Sequence, residues 1–298
     1  MAIITPQASR ALIDYAGFPP RPRRAAGPRA RGPIEDQPPL ELKDREAQSL
    51  VAGSGLIVAG ENVPAKTRAD LVNCTLFAQL AASGEVPESR KVMDWYDAYF
   101  RWLAVLGWSQ SDRQFQDYRF AGQHAEAHKA IGKVLAALLG PQAAALAVIQ
   151  AALTGLQEMD ENSPWLTMFD RQSRLEKAAR FQVATAQVDA TGLIQTALVG
   201  FALKAKSSLT QVLFFKFSSS STKLQYAAGK ATIYEAALAA QREQVAARLS
   251  DYRRQMVGEV KLPPLPAPRG ARAMRTRAVA TRPAKVVRFK PGKALKGI

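Results

Sequence analysis

The sequence predicts an α+β protein: a helical N-terminal half packed on an antiparallel β-meander of about four strands, a closing helix, and disordered basic tails. Three observations predict this class. Apolar residues recur at helical spacing through the first half of the chain. β-branched and aromatic runs separated by turn residues follow after residue 180. Proline, glycine and arginine are dense at both ends. A chain of 298 residues is long enough to bury a sizeable core.

Two helices with apolar faces are predicted in the first half, after a short strand at 56–60. The first runs from Thr67 to Gly84, and the second lies within 88–108. The apolar face of the second consists of Trp95, Tyr99, Trp102, Leu103 and Leu106. An aromatic stripe with a helical period is more typical of a core helix than of a platform for nucleic-acid bases, which needs exposed rings among cations. We therefore expect both helices in the core.

Residues 134–157 form an uncharged stretch of 24 residues, which is long enough to cross a bilayer as one helix. Gly140 and Pro141 interrupt it, because they are typical of the end of one helix and the first position of the next. Glutamine amides within the stretch would be costly in hydrocarbon. The sequence therefore favours two buried helices that meet at residue 140 over insertion in a membrane.

Four β-rich runs are predicted between 181 and 233. Turn residues separate them at 189–192, 207–208 and 218–221. The segment 192–217 is mostly apolar, and its last part alternates between apolar and polar residues as a half-buried strand does. A closing helix is expected over 231–260. The spacing of the runs predicts an antiparallel meander with one face covered by the upstream helices.

The net charge of +16 is concentrated at the two ends. Residues 1–33 contribute +5 and residues 261–298 contribute +11, so the segment between them is neutral overall. We predict a disordered Pro/Arg-rich tail at 1–50, a single α+β domain at 51–260, and a proline-rich linker with a basic tail at 261–298. Tethered polycations bind polyanions by counterion release and Coulomb attraction. The predicted partner is therefore a polyanion.

The sequence nominates no catalytic, metal or cofactor site. Cys74 is the single cysteine, which excludes an internal disulfide and indicates a buried thiol in a reducing, cytoplasmic environment. His124 and His128 stand at i and i+4, a spacing that would place both on one helix face, but the sequence assigns them no third ligand. No phosphate loop, nucleophile elbow or paired acidic motif is present. These observations favour a non-enzymatic protein.

The stretch RAMRTRAVATRPAKVVRFKPGKALKG at 272–297 resembles the C-terminal part of the HU/IHF histone-like DNA-binding proteins. The match covers 26 residues, and FKPGKALK is its most specific portion. The resemblance implies basic residues that hold DNA phosphates around the minor groove. It nominates as nucleic-acid-binding residues Arg272, Arg275, Arg282, Lys285, Arg288, Lys290, Lys293 and Lys296.

The sequence leaves two functional hypotheses open. In the first, a non-enzymatic protein is tethered to DNA, without sequence preference, through its basic C-terminal tail. In the second, the protein is membrane-active or lipid-binding, of the toxin or virulence-factor kind, and uses the apolar segments 134–157 and 192–217 while its tails dock on anionic lipid headgroups. A hairpin fully covered by the sheet would favour the first hypothesis. An exposed apolar face or a lipid-sized cavity would favour the second.

Overall fold

The chain divides into two compact units, Met1–Pro266 and Ala267–Ile298. All residues described below belong to the first unit. The structure, a computed structural model, describes residues 4–20, 40–87, 91–111, 114–119, 124–140, 144–158, 164–175, 178–206, 216–218 and 222–263.

Eight helices lie within these residues. They are α1 (Pro6–Tyr15), α2 (Ala65–Glu85), α3 (Val92–Val105), α4 (Ala127–Leu139), α5 (Ala144–Glu158), α6 (Pro164–Ser173), α7 (Glu235–Ala239) and α8 (Arg242–Met256). Local signals begin the first two. Thr5 accepts a hydrogen bond from the backbone N–H of Ala8 at the start of α1. The first N–H of α2, at Ala65, is accepted by the Asp44 carboxylate at 2.7 Å, which satisfies a donor that has no partner inside a helix.

The strands are β1 (Gln48–Ala52), β2 (Gly55–Ala59), β3 (Ser109–Gln110), β4 (Gln116–Asp117), β5 (His124–Glu126), β6 (Ala178–Val188), β7 (Leu193–Ala205), β8 (Lys216–Ser218), β9 (Thr222–Tyr234) and β10 (Val257–Val260). One mixed eight-stranded sheet has the order β10-β1-β2-β6-β7-β9-β3, with β4 also paired to β9. Only the β2–β6 pair in it is parallel. β5 and β8 form a separate antiparallel pair.

Helices cover both faces of the sheet. We call α1, α2, α3, α7 and α8 the first helical layer, and α4, α5 and α6 the second helical layer. Alternate residues of the central strand β7 enter the two cores: Leu198 packs with the first layer and Val199 with the second. Both faces of β7 are therefore buried, which explains why its sequence is almost continuously apolar.

The α+β class is confirmed, and so are α2, α3, β2 and three strands of the predicted meander, β6, β7 and β9. The described end of the third predicted run is β8, which pairs with β5 and not with the meander. The sheet is larger than the four strands that the sequence predicted, and helices pack on both of its faces. The missed strands β1 and β10 are only five and four residues long and are buried on both faces, so they show no alternation. Because β10 directly follows α8, its sequence resembles a continuation of that helix.

The N-terminal boundary also differs from the prediction that 1–50 is a disordered tail. The structure places helix α1 at Pro6–Tyr15, and β1 begins at Gln48. Tertiary contacts hold α1: Ile13 is fully buried, and the Ser9 hydroxyl donates to the Val105 carbonyl at 2.6 Å. The region 21–39, which contains most of the N-terminal arginines, lies outside the described residues.

Candidate functional site

The nucleic-acid-binding residues nominated by the HU/IHF resemblance lie outside the described residues. They are Arg272, Arg275, Arg282, Lys285, Arg288, Lys290, Lys293 and Lys296. The same holds for residues 207–215 of the apolar segment 192–217, whose first part is β7 and whose last two residues lie in β8. The candidate features that the structure does describe are the α4–α5 helical hairpin, the polar contacts of the first layer, and a buried arginine beside α2 and α3.

The uncharged stretch 134–157 folds as the end of α4 and most of α5, with the break where the sequence predicted it. Gly140 has a φ of +89°, a left-handed conformation that glycine adopts at the end of a helix. Its N–H donates to the Ala136 carbonyl at 2.9 Å. The prediction of two helices that meet at residue 140 is confirmed.

Every buried side chain among the described residues of α4 and α5 is apolar. These residues are Ala130, Ile131, Val134, Leu135, Leu146, Val148, Ile149, Ala151, Ala152, Leu153 and Leu156. Beneath them the sheet presents the stacked rings of Phe181 and Phe201, whose centroids are 4.9 Å apart. Lys133, Gln150 and Thr154 are exposed on the outer side. The hairpin is thus docked by non-directional apolar contact.

The second layer approaches the sheet closely at two glycines. A Cβ on Gly155 of α5 would lie 2.4 Å from the Lys261 carbonyl oxygen, just beyond β10. A Cβ on Gly258 of β10 would lie 2.2 Å from the Trp165 ring of α6. Real Cβ atoms do not come this close to other heavy atoms, so both positions depend on the missing side chain.

The first layer is attached differently, by buried polar side chains. Gln79 of α2 donates from Nε2 to the Ala52 carbonyl and to Gln182 Oε1, both at 3.0 Å, and its Oε1 accepts from the Ser54 N–H at 3.1 Å. Tyr96 of α3 places its hydroxyl 2.9 Å from the Phe181 carbonyl oxygen. These bonds are directional, and breaking them would leave buried polar groups without partners.

Two arginines of this first layer are fully engaged. The Arg68 guanidinium donates to the carbonyls of Val63 at 2.8 Å and Gly60 at 3.0 Å, and also to Glu46 and Gln48. Arg242 of α8 binds the Asp70 carboxylate of α2 at 2.6 Å and Glu235 at 2.7 Å. Hydrogen bonding to the Asp70 carboxylate raises the pKa of Arg242 above its usual range. These contacts tie α8 to α2, and α2 to the ends of β1 and β2.

Arg180 at the start of β6 is buried without comparable partners. Its guanidinium lies over the Trp95 ring, 4.0 Å from the centroid, and Nη2 is 3.4 Å from Ser83 Oγ. Within the part of the chain that the structure describes, Nε and Nη1 have no hydrogen-bond partner. Desolvation lowers the pKa of Arg180 to about 10, so the group stays charged at neutral pH. The sequence analysis did not single out this residue.

Two small cavities are present among the described residues. The space open to the centre of a water molecule is about 10 Å³ beside Asp70, Asn73 and Arg242, and about 20 Å³ in the apolar core beside Tyr99 and Leu198. Each holds on the order of one water molecule. Neither of these two cavities has the size that an acyl chain needs.

The histidine prediction is wrong in one respect. His124 lies in strand β5, which pairs with β8, whereas His128 lies in α4, so the two do not share one helix face. Within the described ranges no group of three or more His, Cys, Asp or Glu residues could hold a metal ion. Cys74 is buried as predicted, and burial raises the pKa of its thiol to about 12.

Large apolar side chains are exposed at few described positions. Three lie at α1: Ile4 just before it, and Leu12 and Tyr15 within it, where Tyr15 is 88% exposed. Tyr234 at the end of β9 is the fourth. Among the helices that the structure describes, none is long and apolar enough to span a bilayer. In the folded state the apolar face of the α4–α5 hairpin is covered by the sheet.

No protein-family model and no curated protein matches the chain. Weak likenesses are found to solved structures of two toxins and a virulence factor. A delta-endotoxin is 12% identical, covers 68% of this chain and 91% of its own, and gives a TM-score of 0.33. The activated Cyt2Ba monomer from Bacillus thuringiensis subsp. israelensis is 14% identical, with coverages of 44% and 77% and a TM-score of 0.26. The Evf virulence factor is 11% identical, with coverages of 74% and 86% and a TM-score of 0.30. With TM-scores and identities this low, these likenesses by themselves assign the chain neither a family nor an activity.

Proposed function

We propose that this chain is a membrane-active protein of the toxin or virulence-factor kind. The α4–α5 hairpin leaves the sheet at an anionic bilayer and inserts its apolar side at the interface. The first helical layer stays on the sheet during this change. In the folded state the hairpin is covered, which by itself favours the DNA tether. The membrane hypothesis therefore requires a change of state, in which the hairpin's own apolar side becomes the lipid-facing surface.

The observation that carries the proposal is the difference between the two helical layers. The described buried side chains of α4 and α5 are apolar, whereas α2 buries polar side chains from Thr67 to Gln79. A bilayer interface replaces apolar contacts at little cost, since hydrocarbon is as apolar as the protein core. It does not replace the hydrogen bonds of Gln79 and Tyr96. The second layer is therefore the one that can exchange the sheet for lipid.

The dimensions of the hairpin indicate where it would lie. α5 has 15 residues, so its length is about 22 Å, which is less than the ~30 Å thickness of the hydrocarbon core. Its exposed side carries Gln150, Thr154, Gln157 and Glu158, and α4 exposes Lys129 and Lys133. A short helical hairpin with one apolar side and one polar side suits the plane of the headgroup region. The hairpin would lie in the interface and not cross the bilayer.

Charge at the ends of the chain supplies the attraction to such a surface. Residues 1–33 contribute +5 and residues 261–298 contribute +11. Basic residues near an anionic membrane contribute about 1 kcal/mol each, and this attraction falls with salt. Binding is therefore expected to need anionic lipid and to weaken at high ionic strength.

The experiment compares two glycine substitutions in the same hairpin. Gly155→Ala places a Cβ 2.4 Å from the Lys261 carbonyl oxygen, whereas a Cβ at Gly132 meets nothing within 4 Å. Both substitutions favour helix by about 1 kcal/mol, so they differ in the contact with the sheet. We expect Gly155→Ala to speed dye leakage from phosphatidylserine-containing vesicles about tenfold. Gly132→Ala should leak at the wild-type rate.

Three results would contradict the proposal. The first is no leakage from anionic vesicles by the wild-type protein. The second is equal leakage by wild type and by Gly155→Ala when thermal unfolding shows that Gly155→Ala has weakened the fold. The third is a rate for Gly132→Ala that matches the rate for Gly155→Ala, which would assign the effect to helix propensity.

Tethering to nucleic acid is a second candidate function, favoured by the absence of any acidic residue in 261–298, where eleven cations lie. If about six of them engage phosphates, log K for duplex DNA should fall with log salt with a slope of about −5. We expect a chain that ends at residue 260 to lose DNA binding. Equal binding by the shortened chain and the full chain would refute the tether.

A further inference from the structure

We propose that Arg180 is an anion-binding residue whose ligand is a phosphate group. The phosphate oxygens would accept from Nε and Nη1 of the guanidinium beside the Ser83 hydroxyl. This inference concerns the first helical layer and does not depend on release of the α4–α5 hairpin.

Arg180 differs from Arg68 and Arg242 in its hydrogen-bond acceptors. Arg68 donates to four acceptors, and Arg242 is bound to two carboxylates. Arg180 is 9% exposed, yet its one described hydrogen bond is the 3.4 Å contact from Nη2 to Ser83. A buried charge without an acceptor is costly, and removing it commonly raises stability. Arg248 also has a buried Nε without a partner, but its guanidinium donates to the Ala16 carbonyl. Among the described arginines Arg180 has two such unsatisfied donors, and these indicate a ligand.

Trp95 and Ser83 set the orientation of the Arg180 guanidinium. Trp95 lies beneath the guanidinium, 4.0 Å from its central carbon, and donates its own indole N–H to Ser83 Oγ at 2.9 Å. A guanidinium held over an aromatic ring directs its N–H groups sideways, in its own plane. This is the arrangement in which arginine binds phosphate through parallel hydrogen bonds. The ring thus fixes the orientation of the donors. Nε and Nη1 are closed to solvent in the folded state, so a ligand reaches them only when the residues that cover them move aside.

Among the described residues, Arg180 has no internal counter-ion at the end of α2. Glu85 accepts hydrogen bonds from Arg101 and from the Trp102 indole, so its carboxylate is already engaged. Tyr96, the ionisable neighbour whose charge bears on Arg180, is fully buried, and burial raises its pKa, so it stays neutral. Among the described residues no carboxylate is bonded to Arg180.

The test measures thermal unfolding of the full chain in inorganic phosphate and in chloride at equal ionic strength. At phosphate about 100 times its Kd, we expect the wild-type Tm to rise on the order of 5 °C. Arg180→Met should show no rise, and its Tm in chloride should equal or exceed that of the wild type. Arg101→Met removes a surface arginine from the same region and should keep the phosphate response.

Arg180→Lys covers the case in which the methionine variant fails to fold. It keeps the charge and lacks the paired donors, so its phosphate response should be clearly smaller. An equal rise in wild type and Arg180→Met would overturn the proposal, and so would no rise in the wild type. A marked fall in the chloride Tm of Arg180→Met would also overturn it, because it would assign the acceptor to the chain itself.

Two further measurements distinguish free phosphate from a lipid headgroup. Flotation with phosphatidylcholine vesicles, with and without phosphatidic acid, compares wild type with Arg180→Met. Loss of the phosphatidic-acid-dependent binding in the variant would identify a lipid headgroup as the source. Unchanged flotation with a lost response to inorganic phosphate would identify a soluble phosphate compound. Either result supports the phosphate site, and neither depends on dye leakage.

Discussion

Tyr96 of α3 lies directly against the backbone of Gly200 in β7, where a Cβ would be 2.7 Å from the ring carbon Cε1. Its hydroxyl is 2.7 Å from the carbonyl oxygen of the next residue, Phe201. Gln182 donates to the same hydroxyl at 3.3 Å. The missing side chain at residue 200 lets α3 approach the middle of the sheet closely enough for these contacts. This pair therefore sets the distance between the first helical layer and the sheet.

Gly200→Ala should push α3 away from the sheet. We expect the free energy of unfolding to fall by about 1–3 kcal/mol, because the added methyl overpacks the core against a rigid ring. Urea unfolding followed by circular dichroism measures the change. Gly132→Ala, which adds a methyl in open space, is the control and should be neutral or stabilising. Wild-type stability for Gly200→Ala would show that the ring does not depend on the glycine.

Gln79→Leu should destabilise the fold by about 2–3 kcal/mol. The leucine fills a similar volume, but the Ser54 N–H and the Ala52 carbonyl each lose a buried partner. Gln150→Leu, at an exposed position of α5, makes the same chemical change and should alter stability by less than about 0.5 kcal/mol. Equal effects of the two substitutions in urea unfolding would contradict the buried polar contacts described for α2.

The stability of the protein should fall at alkaline pH because of Cys74. Its pKa is raised by burial from 9.0 to about 12, so only the unfolded chain ionises in this interval. Below pH 9 the thiol is protonated in both states and has no effect on the pH dependence. Above pH 9 it should lower the free energy of unfolding by about 1.4 kcal/mol per pH unit, until the folded thiol also ionises.

Urea unfolding at a series of pH values compares wild type with Cys74→Ala. The variant starts from a lower stability, since it leaves a cavity, but it should lack the additional slope above pH 9. Parallel curves for the two proteins would exclude a contribution of the buried thiol. In the native wild-type protein, alkylation of Cys74 should be slow and limited by opening of the fold.

Phe18→Ala should loosen the N-terminal segment 4–20. The ring makes edge contacts with Phe77 and Tyr252 at centroid distances of 5.1 and 5.6 Å, and the Arg248 guanidinium lies 4.9 Å from it. We expect a loss of about 2 kcal/mol and faster amide exchange over α1 than over α2. Tyr15→Ala, a change at a strongly exposed ring, should leave exchange unchanged. Equal protection of α1 in both variants would contradict the role of Phe18.

Much of the secondary structure could be predicted because its signals are local. The period of the apolar residues indicates α2 and α3, and Gly140 with Pro141 marks the turn between α4 and α5. α1 was missed because its sequence is followed by Pro and Arg, and only its contacts with α3 and α8 reveal that it docks. Short strands such as β10 were missed because four residues carry no clear period.

The candidate sites could also be predicted only in part from the sequence. The uncharged hairpin is visible in the sequence, whereas the apolar character of its buried side and the polar attachment of the opposite layer require the structure. Arg180 had one sequence signal, a single cation at the start of an apolar strand. Whether such a cation has an acceptor depends on residues far away in the sequence, such as Ser83 and Trp95. No local sequence pattern indicates whether Arg180 has a hydrogen-bond acceptor.

The dual burial of β7 has a consequence for any molecule that opens. Without α4 and α5, β7 would expose an apolar surface that includes Val199, Phe201 and Leu203 to water. Exposed apolar surfaces of this kind associate with one another, so a molecule that opened in bulk solvent would aggregate with other copies. Release of the hairpin and covering of the exposed sheet face must then occur together. The membrane that accepts the hairpin also has to cover the sheet face that the hairpin leaves.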